Sequence, residues 1–331
     1  MKNAIILAAG KGTRMHSDLP KVLHEVCGMP MVSLVIKTLK DINVDRIVTV
    51  TGHMHELVEE VLEGQCEFAL QEPQLGTGHA VMQAKQLENE EGVTVVVYGD
   101  APCISKEMLE ALYLECEQAD MVLLTVKYNE PSSFGRIIRD VNGEVLKIVE
   151  YKDCTEEERK INELNSGFYA FNNRSLFEAL KQLKNDNAQK EYYLTDVLEI
   201  LKDSGKVVKA VVVDDYELVQ GVNDCVELAH ANKTMQKRIN EMWMKQGVTM
   251  YDPDTTYISP EVTFGKDVIL YPNTHFYGKT TIKDYSKILP GSYLENTNVG
   301  SHCVIDASEL INCNIKDETI VGPYQHLRDN K

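Results

Sequence analysis

The loop after the first apolar run of the chain carries two glycines and three cations. Residues 4–7 are apolar, as expected for a buried strand, and Gly10 and Gly12 follow them. Glycines after a strand let backbone N–H groups approach a phosphate. The cations that could add countercharge around such an anion are Lys11, Arg14 and Lys21. The pattern predicts an anion site, with an ordinary glycine-bearing turn and solvated cations as the alternative.

Two common phosphate-binding motifs do not match this loop. A Walker A loop has Lys and then Ser or Thr after its last glycine, but Thr13 directly follows Gly12. A dinucleotide-binding motif needs a third glycine, and Met15 occupies that place. Pro20 stiffens the end of the loop and limits the freedom of the lysine after it. This proline favours a binding role for the loop.

The composition excludes several classes of protein. The chain has 331 residues, 43% hydrophobic and 26% charged, which fits a folded protein of two domains. Its formal net charge of −17 argues against nonspecific binding to nucleic acid or to anionic membranes, and no apolar run approaches transmembrane length. The cysteines form no C-x-x-C pair and no regular disulfide framework, which argues against metal clusters and disulfides. Together with the lack of a transmembrane-length run, this predicts a cytoplasmic protein without membrane insertion. These cysteines are Cys27, Cys66, Cys103, Cys116, Cys154, Cys225, Cys303 and Cys313.

Short β-rich runs alternate with amphipathic helices up to about residue 223. We predict strands over 47–53, 68–73, 93–100 and 121–128, with helices between them. Helical crossovers of this length imply a Rossmann-like, doubly wound and mostly parallel α/β sheet. Ligands of such sheets bind at the carboxyl ends of the strands. The loops after these strands are therefore the candidate site.

The last part of the chain has a different pattern. Apolar residues recur every six positions, and after a one-residue slip the step resumes, which is the hexapeptide signature of a parallel β-helix. The two series are Phe264, Leu270, Phe276, Ile282, Ile288 and Leu294, then Val299, Ile305 and Ile311. We therefore predict a first domain over 1–225, a linker helix over 226–248 that contains Trp243, and a β-helix over 249–331.

A carboxylate ends the strand predicted over 93–100. Asp100 closes the run Tyr98-Gly99-Asp100, where it could face a ligand. A single Asp at a strand end is as often a cap or a loop residue as a metal ligand. Mg²⁺ bound together with a triphosphate needs few protein carboxylates, because substrate phosphates and water supply its other ligands. The position of Asp100 alone leaves both roles open.

The pattern G-x-G-T-R-M-x-x-x-x-P-K, complete over residues 10–21, resembles the signature of the sugar-1-phosphate nucleotidyltransferases. Other segments match these enzymes in the same order along the chain, namely 75–80, 133–137, 148–153, 165–167, 191–196 and 221–224. Followed by hexapeptide repeats, they resemble the bacterial bifunctional N-acetylglucosamine-1-phosphate uridyltransferase/glucosamine-1-phosphate acetyltransferase family. The resemblance implies that the β-helix is left-handed and assembles a homotrimer.

The resemblance also implies roles for individual residues. Asp100 and Asn223 would hold Mg²⁺, and Arg14 and Lys21 would be the catalytic cations. The Gln71 amide would offer both a donor and an acceptor to uracil. The other substrate-binding residues that it implies are Leu7, Ala8, Ala9, Gly10, Gly76, Thr77, Tyr98, Gly99, Gly135, Glu150, Asn165 and Thr195, with Asn223 shared between metal and substrate.

The function implied by the resemblance is the synthesis of UDP-N-acetylglucosamine and pyrophosphate from UTP and N-acetylglucosamine 1-phosphate, for cell-envelope precursors. Magnesium-dependent in-line attack on the α-phosphorus needs no protein nucleophile. The acetyl-transfer residues of that family lie beyond the segment that resembles 321–328. We therefore expect this chain to lack acetyltransferase activity, and we do not expect His275, His302 or His326 to be catalytic. The open alternatives are a UDP-glucose or dTDP-glucose type of nucleotidyltransferase and a non-catalytic nucleotide-sugar-binding scaffold.

Overall fold

The chain divides into two compact units. The structure is a computed structural model, and it describes residues 1–130, 132–187 and 189–329. The first unit comprises Met1–His24 and Pro30–Glu227. The second comprises Glu25–Met29 and the described residues from Leu228 onward.

Strands and helices alternate through the first unit, as its apolar periodicity predicts. The strands up to residue 213 are β1 (Lys2–Leu7), β2 (Glu25–Val26), β3 (Met29–Pro30), β4 (Arg46–Thr51), β5 (Glu67–Leu70), β6 (Val93–Tyr98), β7 (Met121–Lys127), β8 (Arg136–Arg139), β9 (Val145–Val149), β10 (Glu163–Asn172) and β11 (Val208–Val213). The helices are α1 (Met31–Asp41), α2 (His55–Val61), α3 (Thr77–Gln83), α4 (Lys106–Cys116), α5 (Glu156–Arg159), α6 (Asn173–Leu180) and α7 (Val197–Asp203).

One mixed sheet forms the centre of this unit. Its order is β11-β7-β10-β6-β1-β4-β5, and β10 runs antiparallel to β6 and β7. All other neighbours in this order are parallel. The antiparallel strands β8 and β9 extend from β10. The predicted Rossmann-like, mostly parallel sheet is confirmed, and β10 is a strand that the sequence analysis did not identify.

Both faces of the sheet are covered by helices. On β1, Ala4 and Ile6 pack with residues of α1 and α4, whereas Ile5 and Leu7 pack with residues of α3, α6 and α7. Successive strand residues point to opposite faces. A strand that is apolar throughout therefore needs both faces covered, which explains the doubly wound arrangement.

All four predicted strands end one to three residues earlier in the structure, and those predicted over 47–53 and 121–128 end at Thr51 and Lys127. The strand predicted over 93–100 ends at Tyr98, and the one predicted over 68–73 ends at Leu70. Glycine and proline are depleted in strands, and Gly99 and Pro73 follow these two ends. The segments after β5 and β6 are consequently loops at the carboxyl edge of the sheet.

A parallel β-helix forms most of the second unit. Helix α8 (Cys225–Lys245) precedes it along the chain. Its strands are β12 (Thr249–Met250), β13 (Thr256–Ile258), β14 (Thr263–Phe264), β15 (Ile269–Leu270), β16 (Thr274–Tyr277), β17 (Thr281–Ile282), β18 (Lys287–Ile288), β19 (Tyr293–Glu295), β20 (Asn298–Val299), β21 (Val304–Ile305), β22 (Glu309–Ile311), β23 (Asn314–Ile315), β24 (Ile320–Val321) and β25 (His326–Arg328). Every third strand joins the same parallel sheet, so three sheets form the walls of the helix. The predicted left-handed β-helix fold is confirmed.

The interior row of the β-helix corrects one hexapeptide position. Leu270, Phe276, Ile282, Ile288, Leu294, Val299 and Ile305 are buried, as predicted. Leu310 continues the row and is fully buried, whereas the predicted Ile311 is only half-buried. A second one-residue slip explains the difference, because Phe276 pairs with Leu294 across a coil of 18 residues while Leu294 pairs with Leu310 across a coil of 16, and the slip before Val299 accounts for only one of the two missing residues.

Helix α8 packs onto the beginning of the β-helix. The Trp243 ring meets the edge of Phe264 at a centroid distance of 5.1 Å. The buried Asn240 amide donates to the carbonyls of Pro253 and Thr256 at 2.8 and 2.9 Å. Among the described helices, α8 included, none has the length and apolar character that a membrane crossing needs.

Candidate functional site

Asp100 contacts one of the two predicted catalytic cations. The Lys21 ammonium forms an ion pair with Asp100 Oδ2 and donates a hydrogen bond of 3.1 Å to Asn223 Oδ1. The three residues lie in the loops after β1 and β6 and in the segment before α8. The fold thus brings together both predicted metal ligands and one predicted cation from distant parts of the chain.

Backbone contacts hold the segment before α8 against Asp100. Val222 N–H donates to the Asp100 carbonyl at 2.8 Å. A Cβ added to Gly221 would lie 3.3 Å from Asp100 Oδ1, so glycine lets the backbone approach the carboxylate closely. The Glu227 carboxylate accepts from Asn223 N–H at 2.6 Å. These contacts fix the backbone that carries the two predicted oxygen ligands.

The glycine-bearing loop after β1 places Lys21 and Arg14 differently. Gly12 has a φ of +60°, and a Cβ there would lie 2.6 Å from Lys21 Cβ, so only glycine fits without moving the lysine. Arg14 lies in a short 3₁₀ turn, Thr13–Met15, that buries Met15 and exposes the Arg14 side chain. Its guanidinium has no ion pair among the described residues. The structure therefore brings Lys21, but not Arg14, to Asp100.

A polar cavity of about 210 Å³ opens beside Asp100. It lies in the first unit, at the carboxyl edge of the sheet. The predicted site residues that line it are Tyr98, Asp100, Gly135, Glu150, Asn165 and Asn223. Its other lining residues are Ala101, Ser133, Phe134, Ser166, Gly167, Val219 and Gly221. Carboxylate, amide and hydroxyl groups in its wall suit a polar ligand with several hydroxyls.

Glu150 is a partly desolvated acceptor in the cavity wall. Burial raises the pKa of its carboxyl group, and the neighbouring Asp196, Asp153 and Glu191 raise it further, while the bond from Thr195 lowers it. The Thr195 hydroxyl donates to Glu150 Oε1 at 3.2 Å. The structure therefore brings two predicted sugar-side residues together, although they come from different segments.

Hydrogen bonds position Asn165 on the same side of the cavity. Its amide nitrogen donates to the Tyr169 hydroxyl at 2.6 Å, and its Oδ1 accepts from Gly167 N–H at 3.2 Å. Its backbone N–H donates to the Gly135 carbonyl at 2.9 Å. Tyr169 was missed by the sequence analysis. Its signal is a phenol inside an apolar strand, because a buried tyrosine hydroxyl needs a partner.

Aromatic packing next to the cavity was also missed. Tyr216 stacks on Tyr128 at a centroid distance of 3.9 Å and contacts Phe134 at 5.5 Å. Phe134 and Val219 line the cavity. No local pattern signals this group, because its members come from three separate segments.

The predicted nucleobase residues form a second group, outside the lining of this cavity. Gln71 Nε2 donates to the Gly76 carbonyl at 2.9 Å and lies 3.2 Å from His79 Nδ1. The Gln71 amide nitrogen thus faces two protein groups, and the role of the His79 nitrogen depends on the tautomer of its ring. The expectation that Gln71 offers both a donor and an acceptor to uracil stays a prediction. Thr77 Oγ1 accepts from Leu194 N–H at 3.2 Å, so this hydroxyl is a structural contact at the start of α3.

The end of β1 lies between the two groups. In the sheet, β6 lies on one side of β1, and β4 followed by β5 lies on the other. The loop after β6 carries Asp100, and the loop after β5 carries Gln71. The end of β1 is hydrogen-bonded on both sides. Gly99 N–H donates to the Leu7 carbonyl at 2.9 Å, and Ala8 N–H donates to the Val50 carbonyl of β4 at 2.9 Å. The predicted residues of this edge are Leu7, Ala8 and Ala9, which are buried, and Gly10, which is exposed.

The oxygens beside Lys21 fit a hard divalent cation. Asp100 Oδ2 and Asn223 Oδ1 both contact the Lys21 ammonium, so they reach one cation position. Mg²⁺ prefers oxygen ligands and takes few from protein when phosphates are present. Within residues 1–130, 132–187 and 189–329, no group of three His, Cys, Asp or Glu side chains could hold a metal. An ion at this position would therefore depend on substrate phosphates and water for its remaining ligands.

Comparisons with known proteins agree with this geometry. Residues 4–201 match the model of the MobA-like NTP transferase domain family. The chain is 48% identical, over 98% of its length and 72% of the relative's, to the bifunctional protein GlmU of Listeria monocytogenes serotype 4a. It is 45% identical over the same shares to the GlmU of Halalkalibacterium halodurans.

A solved structure supports the fold alone. A putative glucose-1-phosphate thymidylyltransferase from Bacillus anthracis, in complex with a sucrose, has a TM-score of 0.56 and 22% identity to the chain. The match covers 70% of this chain and 94% of the other. By its similarity to the Listeria and Halalkalibacterium relatives, the chain belongs to the family of bifunctional GlmU proteins, and its first unit carries an NTP transferase domain.

Proposed function

We propose that the site beside Asp100 transfers a uridylyl group with a Mg²⁺ ion held by Asp100 and Asn223. As a member of the GlmU family, the chain is a nucleotidyltransferase of the UDP-N-acetylglucosamine diphosphorylase type. It makes UDP-N-acetylglucosamine and pyrophosphate from UTP and N-acetylglucosamine 1-phosphate, and the product is a precursor of the cell wall. Enzymes of this family use a divalent metal, and we propose that this metal is Mg²⁺, held by Asp100 and Asn223.

The observation that carries the proposal is the position of the Lys21 ammonium. It lies against an Asp100 oxygen and an Asn223 oxygen at the edge of the sheet. Those two oxygens can accept a metal ion when the lysine turns to a phosphate. When bound, the ion would neutralise phosphate charge and hold the reacting phosphates together.

The transfer needs no covalent protein intermediate. A phosphate oxygen of the sugar 1-phosphate attacks the α-phosphorus of UTP in line, and the bond from this phosphorus to pyrophosphate breaks. The protein contributes positioning and stabilisation of charge. Lys21 and Arg14 act as cations on the leaving pyrophosphate, and the exposed Arg14 reaches it when the nucleotide binds beside the glycine loop.

The two groups of site residues bind different parts of the substrates. The base of UTP lies at Gln71, Gly76 and the start of α3, and its phosphates follow the end of β1 from Leu7 to Gly10. The sugar occupies the cavity beside Asp100, where Glu150 accepts from a sugar hydroxyl. The remaining sugar-side residues are Tyr98, Gly99, Gly135, Asn165 and Thr195.

A competition between sugars tests this proposal. With UTP and Mg²⁺, we expect mass spectrometry to detect UDP-N-acetylglucosamine as the main product from an equimolar mixture of N-acetylglucosamine 1-phosphate and glucose 1-phosphate. A mixture that yields mainly UDP-glucose would leave the nucleotidyltransferase activity in place and contradict the assignment of the sugar.

Arg14→Ala should lower turnover by about a hundredfold, as the loss of a preorganised charge donor does elsewhere. The surface variant Lys40→Ala should leave turnover unchanged.

The assembly is a homotrimer in this proposal, formed through the β-helix. Aromatic rings follow one wall of that helix, where His275 stacks on Tyr257 at a centroid distance of 4.7 Å and lies 6.2 Å from Tyr293. Tyr257 remains 39% exposed, and a partner could cover it. Light scattering should give three times the mass of the chain, and a monomer at micromolar concentration would reject the assembly.

A cytoplasmic location completes the proposal. Within the described residues, the eight cysteines form no disulfide, and six of them are buried. Such cysteines are typical of a reducing compartment. The absence of acetyl transfer, expected from the sequence, stays a prediction that an assay with acetyl-CoA and glucosamine 1-phosphate can test.

A further inference from the structure

We propose that His79 takes up the second hydrogen of the Gln71 amide, whose orientation the Gly76 carbonyl sets, and thereby makes the site select uracil over cytosine. The inference rests on the proposed function, in which Gln71 faces the base of the nucleotide. His79 is a positioning residue here, because it acts through Gln71 and not on the reacting atoms.

The Gln71 amide has only one orientation that its surroundings accept. Its side chain is buried, with a residue exposure of 3%. Nε2 lies 2.9 Å from the Gly76 carbonyl oxygen, which can only accept. Rotating the amide by half a turn would bring its own oxygen against that carbonyl. Nε2 must therefore face Gly76, and one of its two hydrogens is used there.

The second amide hydrogen points to His79. Nδ1 of the imidazole lies 3.2 Å from Gln71 Nε2, so it must accept. Burial lowers the pKa of His79, which keeps the ring neutral at pH 7 and leaves one ring nitrogen able to accept. The ring proton then lies on Nε2.

Gln83 lies on the other side of the ring. Its Nε2 is 3.2 Å from His79 Nε2 and 2.9 Å from the His79 carbonyl. Both ring nitrogens thus face an amide nitrogen, and only one can accept. Gln83 is half-buried on α3, so water can satisfy its second amide hydrogen, whereas the buried Gln71 depends on the imidazole for this contact. The more buried partner decides the tautomer, so Nδ1 is the acceptor.

With both hydrogens used, Gln71 can offer a base only its carbonyl oxygen. Uracil has a hydrogen donor at N3, which pairs with this acceptor. Cytosine has an unprotonated N3, which would place two acceptors against each other and leave both without a partner. Removal of the His79 acceptor would release one amide hydrogen for the N3 of cytosine.

The test compares kcat/KM for UTP and CTP in the full chain with N-acetylglucosamine 1-phosphate. His79→Leu removes the acceptor, and His79→Asn keeps an oxygen near the position of Nδ1. Gln83→Leu is the matched control, since it alters the other face of the ring. We expect the UTP/CTP ratio to fall about tenfold or more in His79→Leu, to stay within about threefold of wild type in His79→Asn, and to be unchanged in Gln83→Leu.

Two results would overturn the role of His79. One is a UTP/CTP ratio in His79→Leu that equals the wild-type ratio, and the other is an equal loss in His79→Asn and His79→Leu. If His79→Leu does not fold, His79→Ala replaces it, and calorimetric affinities for UTP and CTP give the same ratio without turnover.

A separate variant distinguishes a wrong nucleotide position, which belongs to the proposed function, from a wrong role for His79. If Gln71→Leu retains the wild-type UTP/CTP ratio, Gln71 does not face the base and the proposed nucleotide position is wrong. If Gln71→Leu loses selectivity while His79→Leu keeps it, the nucleotide position stands and only the inference about His79 fails.

Discussion

Lys21 occupies the position that the proposed metal ion would take. Its ammonium contacts Asp100 Oδ2 and Asn223 Oδ1, so a cation entering without nucleotide must displace it. We expect Lys21→Met to bind Mn²⁺, in the absence of UTP, about tenfold more tightly than wild type, equivalent to about 1.4 kcal/mol. Electron paramagnetic resonance of free Mn²⁺ measures the affinity.

Two controls make this measurement specific. Lys40→Met removes a cation from the exposed surface of α1 and should leave Mn²⁺ affinity unchanged. Asp100→Asn in the Lys21→Met background should abolish the gain. Equal Mn²⁺ affinity in wild type and Lys21→Met would show that the lysine does not compete for the site.

The buried Asp196 carboxyl group makes the stability of the protein depend on pH. Burial, with smaller contributions from Glu199 and Asp153, raises the pKa of Asp196 from 3.8 to about 6. Its folded-state pKa lies above the unfolded value, so ionisation costs stability as pH rises from about 4 to about 6, and the full cost remains above that range. Asp196→Asn should therefore unfold at a higher temperature than wild type at pH 7.5.

The difference between the two proteins should shrink as pH falls from 6 towards 4. Asp196 makes no side-chain cap bond at the start of α7, so the substitution removes no cap. Differential scanning fluorimetry at pH 4.5, 5.5, 6.5 and 7.5 provides the comparison. An advantage of Asp196→Asn that grows at low pH would contradict the assigned shift.

At the scale of the element, the loop after β1 depends on Gly12. An alanine there needs a left-handed backbone and brings its Cβ to 2.6 Å from Lys21 Cβ. Gly64 also has a positive φ, of +70°, but has open space around it. Both Gly→Ala variants should lose about 1–2 kcal/mol for the left-handed conformation. Only Gly12→Ala should also lower kcat, by about tenfold or more, because it displaces the lysine. Parallel urea unfolding and turnover assays would reject this role if the two variants lost activity equally.

The β-helix offers a second comparison between neighbouring positions. Leu310 is fully buried in the interior row, whereas Ile311 lies half-buried on the outer side. Leu310→Ala should lower the free energy of unfolding of this unit by about 2–5 kcal/mol, and Ile311→Ala should cost clearly less. Denaturant unfolding, with the mass of each variant recorded in the same buffer, separates lost packing from lost assembly. A larger loss in Ile311→Ala would favour the uncorrected hexapeptide register.

At the scale of the whole molecule, much of the architecture is readable from local patterns. Alternating strands and helices predict the doubly wound sheet, and the period of six predicts the β-helix, because both depend on residues that are near in sequence. The slip from Ile311 to Leu310 was missed because a coil shortened to 16 residues retains an aliphatic residue at both positions. The antiparallel β10 was missed because its buried positions include Glu163, Asn165 and Ser166, so the segment lacks the apolar pattern of a strand.

The sequence proposes the members of the candidate site more readily than the contacts between them. The glycine loop and Asp100 follow from residue type and position, and Asn223, Glu150 and Asn165 follow from family resemblance. The Lys21–Asp100 ion pair, the Tyr169 hydroxyl and the bonds of Gln71 depend on tertiary packing. A single sequence does not encode such distances as a local pattern.

The most direct test of the account measures pyrophosphate release from UTP and N-acetylglucosamine 1-phosphate with Mg²⁺. Wild type is compared with Asp100→Ala and Asn223→Ala, each with and without a chelator. The account predicts rapid, chelator-sensitive release by wild type and a loss of about a hundredfold or more in Asp100→Ala. Near-normal, Mg²⁺-dependent release by Asp100→Ala would contradict the assignment of the metal and of the transfer to this site.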